Sequence, residues 1–186
     1  MRPWAVGSAA VAPVALIGGW TWAASRQPPG FDPVRDTISS LAARHATDRW
    51  IMTTALFILG ACHLVTASGL TEASRLSRSL LAAGGAATIA VASLPQPASG
   101  HAAAATAGFI LLSLWPLASG VPTVRTARVA TIVLVALLAW LGVATRTDDA
   151  LGLSERVAAG AQALWPLAVV ITLLTKRRSA RLARPR

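Results

Sequence analysis

The chain has 186 residues, 54% hydrophobic and only 13% charged, with 17 Lys and Arg against 7 Asp and Glu and a formal net charge of +10. A soluble domain carries about 25% charge, which excludes a soluble enzyme or a soluble DNA-binding protein. The basic residues flank apolar runs instead of lining one helix face as a nucleic-acid surface does, so the composition points to five or six short membrane helices.

Charge-free stretches near the roughly 20 residues that cross about 30 Å of hydrocarbon recur along the chain. The first covers 4–24; Trp20 and Trp22 stand where a signal cleavage site would fall, so it reads as a membrane helix. In the connection 25–48, Asp32 is a candidate N-cap and Pro33 a candidate first helical residue, while Val34, Ile38, Leu41 and His45 share one stripe. This predicts a short amphipathic outer-loop helix, with Asp36, Ser39, Ser40 and Ala43 on the opposite stripe. The second span, 50–70, carries Cys62, read as a packing residue, and His63, the one imidazole deep in the bilayer. Such a histidine is either satisfied by a nearby hydroxyl or carbonyl, or a ligand or proton relay.

The third span, 79–94, contains the run Ala82 to Ala87, and small residues permit close helix contact. The fourth, 102–124, opens after Ser99-Gly100-His101; the fifth covers 129–145, the sixth 157–175, and a basic tail occupies 176–186. Leu114-Trp115-Pro116-Leu117-Ala118 returns as Leu164-Trp165-Pro166-Leu167-Ala168, which suggests a duplicated two-helix unit with a kink or weakened turn at each Trp-Pro. The fold class is therefore all-α, a single domain over 1–175 forming a polytopic six-transmembrane-helix bundle.

An even number of crossings puts both termini on one side. That side holds Arg2, Arg75, Arg78, Arg125, Arg128, Lys176, Arg177, Arg178, Arg181, Arg184 and Arg186, 11 of the 17 cations, and the other side holds six of the seven acids. The positive-inside rule then places the termini in the cytoplasm. Trp4, Trp20, Trp22, Trp50 and Trp115 lie near span ends, as an aromatic belt does.

No carboxylate falls in the middle of a span, which argues against ion-coupled transport. Three helices begin on the outer side, where Asp48 and Glu155 neutralise two of the positive ends. The fourth helix begins at His101 without an acid, so Arg35, Arg49, His101, Arg146 and Arg156 form a candidate site for a phosphate or carboxylate headgroup. Asp36 as base, Ser40 one turn later and His101 form a candidate catalytic set at the same outer mouth. No metal and no cofactor is expected, because the three histidines lie at different depths.

Phe31-Asp32-Pro33-Val34-Arg35-Asp36-Thr37-Ile38-Ser39-Ser40-Leu41-Ala42, Asp48-Arg49-Trp50-Ile51-Met52-Thr53, Gly60-Ala61-Cys62-His63-Leu64-Val65-Thr66-Ala67 and Leu94-Pro95-Gln96-Pro97 with His101 resemble the bacterial and archaeal membrane proteins grouped as domain-of-unknown-function family 998. The resemblance spans nearly the whole chain. It implies a compact bundle of about six helices with the marked loop outside, and no activity. A looser similarity to zinc-dependent membrane hydrolases of the alkaline ceramidase type fails for want of a His-x-x-x-His pair. High alanine and sixteen arginines to one lysine suggest a GC-rich bacterium.

The first expectation is a non-enzymatic membrane protein that binds a lipid, a small amphipathic ligand or a partner at its extracytoplasmic end. A membrane-embedded lipid-acting enzyme using Asp36 and His101 is the rival, and a permease for a small uncharged molecule is the third. Membrane lipids are the expected partners, with an anionic headgroup at the arginines; nucleic acid is not, and a homo-oligomer is open.

Overall fold

The computed structural model describes residues 1–182 and is helical throughout, without strands among them. Its elements are α1 (Pro3–Ser25), α2 (Ile38–Leu41), α3 (Trp50–Gly69), α4 (Arg75–Ser93), α5 (His101–Leu114), α6 (Val124–Thr147) and α7 (Leu151–Leu182). Five of these, α1, α3, α4, α6 and α7, are long and apolar enough to cross a membrane, and α5 is a shorter apolar helix. Large side chains such as Val14, Ile132 and Val143 stay exposed, as the outer wall of a polytopic membrane bundle requires.

Contacts among the connections sort them onto two poles. At the first, Arg2 N–H donates to the Gly69 carbonyl at 2.8 Å, and Lys176 Nζ donates to the Pro122 carbonyl at 3.0 Å. This termini pole gathers both helix-chain ends with the α3–α4 and α5–α6 turns. At the second, Gly152 N–H donates to the Arg35 carbonyl at 3.1 Å and Arg44 N–H to the Gln96 carbonyl at 3.2 Å, which gathers the three other connections into a loop pole. The six apolar helices thus traverse the bundle alternately.

Close packing uses small residues, since helices in lipid gain nothing from excluding water from each other. Gly60 on α3 lies against Gly85 on α4: a Cβ at Gly60 would stand 2.6 Å from the Gly85 carbonyl oxygen. Gly84 faces Leu112 of α5 in the same way. Cys62 is a free buried thiol within the core.

Several expectations are corrected. The fourth span does not run to residue 124, because α5 ends at Leu114 and turns follow over 115–119. Pro116 lacks an N–H and crowds the carbonyl four residues back, and Ser119, Gly120 (φ 66°) and Pro122 prevent the helix from restarting before Thr123. In α7 the matching Pro166 is followed by Leu167-Ala168-Val169-Val170 and the helix continues through it. The two Trp-Pro copies therefore adopt different structures. Trp115 is not at an interface: it is fully buried, 0% exposed, whereas Trp4, Trp22 and Trp50 are exposed.

The turn after α5 is held by side chains. Ser77 Oγ donates to the Trp115 carbonyl at 3.0 Å, Ser74 Oγ to the Ala118 carbonyl at 2.6 Å and Ser119 Oγ to the Pro116 carbonyl at 2.6 Å.

The outer-loop helix is also shorter than its stripe predicts. Asp32 Oδ1 accepts the Val34 N–H at 2.9 Å, which caps a turn, and the helix proper is only Ile38–Leu41, capped by Thr37 accepting the Ser40 N–H at 3.0 Å. Ile38 and Leu41 are buried, but Val34 and His45 are exposed, so the stripe is broken. The fifth and sixth helices exceed their charge-free runs, and α7 carries the basic tail as helix to Leu182; Arg184 and Arg186 lie outside the described residues.

At the termini pole the Met1 ammonium donates to Glu72 at 2.6 Å, and Arg177 also pairs with Glu72. Burial alone raises this carboxyl, but the hydrogen bond and charge of the Met1 ammonium together with Arg177 bring it below its ordinary 4.5. A depressed carboxyl adds stability that is present above its unfolded value and lost as pH falls through the native one. Detergent-solubilised protein should therefore lose thermal stability on acidification below about 4.5, and Glu72→Gln should abolish part of that loss. An identical acid profile for the variant would show that the pole draws nothing from Glu72.

Candidate functional site

The apolar core divides into two clusters. One, toward the loop pole, contains Leu16, Ile38, Leu41, Met52, Leu56 and Leu59; the other, toward the termini pole, contains Leu70, Leu81, Leu112, Trp115, Val169 and Val170. A half-open chamber of about 60 Å³ lies between helices α1, α3, α4, α5 and α7, beneath α2. Each wall follows helical spacing: Leu56, Leu59 and His63 on α3, Ala105, Phe109 and Leu112 on α5, and Glu155, Ala159 and Gln162 on α7.

Five polar side chains line this apolar space, and four of them are satisfied. Thr88 Oγ1 donates to the Gly84 carbonyl at 2.9 Å. Gln162 Nε2 donates to the Phe109 carbonyl at 2.9 Å and to Ser113 Oγ at 3.0 Å, which ties α7 to α5. Ser39 Oγ donates to Glu155 Oε1 at 3.2 Å, and Glu155 Oε2 also accepts the Ile38 N–H. His63 is the exception: it is 1% exposed and neither Nδ1 nor Nε2 has a hydrogen-bond partner. An unpaired buried polar atom costs about 1–3 kcal/mol, so the imidazole presents two unmet demands beside the chamber. The space admits a group of a few heavy atoms.

Glu155 does not neutralise its own helix end as the sequence suggests. It sits in the second turn of α7, is buried, and its carboxyl acts as the acceptor that caps α2, whose first N–H it accepts. Asp48 pairs with Arg26 at 2.9 Å. The pattern that could have found the chamber wall is Glu155 and Gln162 seven residues apart in an apolar run, which places two polar groups on one helix face.

The candidate catalytic residues are placed separately. Asp36 Oδ2 accepts the Asp32 N–H at 2.8 Å, and Ser40 Oγ donates to the Thr37 carbonyl at 2.7 Å. Both border an open cleft of about 420 Å³ shared with Gln27, Phe31 and His45. His101 is buried elsewhere, with Nδ1 at 2.6 Å from the Leu94 carbonyl; a carbonyl only accepts, so Nδ1 carries a proton, and Nε2 is buried without a partner. No hydrogen bond joins Asp36 to His101.

The candidate anion-binding arginines are also dispersed. Arg35 is exposed and lies 3.8 Å from Asp32; Arg49 stands at the N-cap of α3, and Arg146 is exposed at the end of α6. Arg156 is turned to the loop, with Nη1 donating to the carbonyls of Pro33 at 2.8 Å, Asp36 at 2.6 Å and Gly152 at 3.0 Å, while its Nη2 is buried without a partner. Its guanidinium stands 6.0 Å from the Phe31 ring. Among the described residues no three His, Cys, Asp or Glu side chains gather to hold a metal.

The family described as "Protein of unknown function (DUF998)" matches the chain over residues 9–172. No curated protein and no solved structure matches it.

Proposed function

Because this chain belongs to the DUF998 family of unknown function, we propose from its geometry that it is an integral membrane protein that binds a small amphipathic molecule in the chamber beside His63. The termini are cytoplasmic in this reading, as the arginine distribution favours, and α2 covers the chamber on the outer side. The observation that carries the proposal is the pair of unpartnered nitrogens on a buried imidazole, in a wall whose other polar side chains are all hydrogen-bonded. A hydroxyl or amide on the guest meets His63, and its hydrocarbon part meets Leu56, Leu59, Phe109 and Leu112. At about 60 Å³ the chamber takes a short-chain alcohol or amide, or the polar head of a longer amphiphile, and excludes a whole lipid.

The rival enzyme, built on Asp36, Ser40 and His101, lacks the carboxylate–imidazole hydrogen bond that orients a general base. A permease would need the chamber to continue through the dense cluster of Leu81, Leu112 and Trp115.

Thermal unfolding in mild detergent with 1-butanol and butyramide as probes tests the reading. The native protein should gain stability saturably with either probe, because a ligand of the folded state shifts unfolding by mass action. His63→Leu should remove that response while leaving basal stability unchanged or raised by about 1–3 kcal/mol, since an apolar isostere relieves the unmet hydrogen bonds. Equal probe responses in both proteins, or a less stable His63→Leu, would refute the site.

A further inference from the structure

A second feature lies at the opposite end of the bundle. Between α3 and α4, at the termini pole, runs an open groove of about 450 Å³. Arg75, Arg78, Ser79 and Ala82 line its α4 side, at positions i, i+3, i+4 and i+7 of one helix face; Leu64, Ala67 and Ser68 line the α3 side. Both sides therefore grade from basic and hydroxyl groups at the pole to apolar groups deeper in. The contact of Gly60 with Gly85, one turn further along each helix, closes the deep end.

The two arginines differ in how they are held. Arg78 Nε donates to the Ala67 carbonyl at 2.7 Å and its Nη2 to the Ser68 carbonyl at 3.0 Å, so the guanidinium is docked on the C-terminal end of α3 with Nη1 uncommitted. Arg75 is exposed and makes no ion pair among the described residues. Glu72, the one carboxylate of this pole among the described residues, is occupied by the Met1 ammonium and Arg177. The groove thus carries two guanidinium groups with no carboxylate partner among the described residues, one fixed and one free to close.

We infer that this groove binds the phosphodiester headgroup of an anionic phospholipid from the adjoining leaflet. A guanidinium pairs with phosphate oxygens through parallel N–H donors, which suits Arg78 and Arg75 acting from the same helix face. The acyl chains then leave along Leu64 and Ala82 toward the hydrocarbon, which is why the occupant is a lipid and not free phosphate. Basic pockets between transmembrane helices recognise anionic headgroups on this principle, and each arginine near the surface contributes about a fivefold change in affinity. The inference stands apart from the chamber at His63 and survives or fails without it.

Native mass spectrometry of the full chain in mixed micelles of phosphatidylglycerol or phosphatidylcholine tests it. Arg75→Gln and Arg78→Gln should each weaken phosphatidylglycerol binding about fivefold, with phosphatidylcholine unaffected. Arg125→Gln, exposed at the same pole but outside the groove, should change nothing. Because Arg75 makes no ion pair within the described residues, its variant stays informative if loss of Arg78 impairs folding. Equal weakening by Arg125→Gln would replace the site by a diffuse surface field. Displacement of the lipid by inorganic phosphate would replace it by a phosphate site, and unchanged binding in Arg75→Gln would remove it.

Discussion

Gly85→Ala is expected to destabilise the bundle by about 2–3 kcal/mol, although alanine is the better helix former. A Cβ at this position would lie 2.7 Å from the Gly60 carbonyl oxygen, 2.9 Å from His63 Cβ and 3.2 Å from the Leu64 nitrogen. Two of these are backbone atoms, which cannot turn aside as the end of a long side chain can, so α3 and α4 must separate. Gly60→Ala should cost a similar amount, and the double variant less than the sum, because one separation relieves both clashes. Gly142→Ala supplies the contrast: nothing lies within 4 Å of a Cβ there, and about 0.5–1 kcal/mol of stabilisation is expected from helix propensity. Thermal or SDS-induced unfolding measures all four variants. A neutral Gly85→Ala would mean that the two helices are free to move apart.

The second large effect is expected at Glu155. Its carboxylate accepts from the Ile38 N–H and from Ser39 Oγ, both beneath the loop, so Glu155→Ala leaves two donors without an acceptor. A buried donor left without its acceptor costs about 1–3 kcal/mol, and a loss of about 3 kcal/mol is expected for the pair. The loss is local, because Arg156 and the bonds from Gly152 to Arg35 and Leu153 to Val34 still hold the loop's first half. Amide exchange should therefore rise over residues 37–42 and stay low in α3 and α7. Glu155→Gln keeps a carbonyl acceptor and should show a smaller rise. Unaltered exchange at Ile38 in Glu155→Ala would show that the carboxylate does not anchor α2.

The architecture was legible in the apolar runs because lipid imposes a length and a polarity on every crossing. The second span, 50–70, matches Trp50–Gly69 almost residue for residue. Helix ends were harder, since a charge-free scan finds the apolar slab and not the helix. It stops at Arg78, yet α4 begins at Arg75, because Ser74 Oγ caps it by accepting the Ser77 N–H at 3.1 Å and the carbonyls of Ala67 and Ser68 receive the Arg78 guanidinium. His63 stands out as a lone imidazole in an apolar run, whereas Glu155 reads as an acid neutralising the positive end of its own helix. Its inward role depends on a partner 117 residues away in sequence, and no local pattern encodes that distance. The opposite failure occurs at Asp36 and His101, where proximity at a common pole of the bundle does not bring side chains together.

The early end of α5 has a consequence for the surrounding lipid. A helix of 14 residues rises about 21 Å, short of a hydrocarbon layer of about 30 Å. The non-helical stretch beyond it would be intolerable in oil, except that serine hydroxyls from α4 and from the turn itself already quench its carbonyls. The bilayer beside α5 can therefore pinch inward without meeting naked peptide dipoles, and a thinner membrane should accommodate this protein at less cost than a thick, sterol-stiffened one.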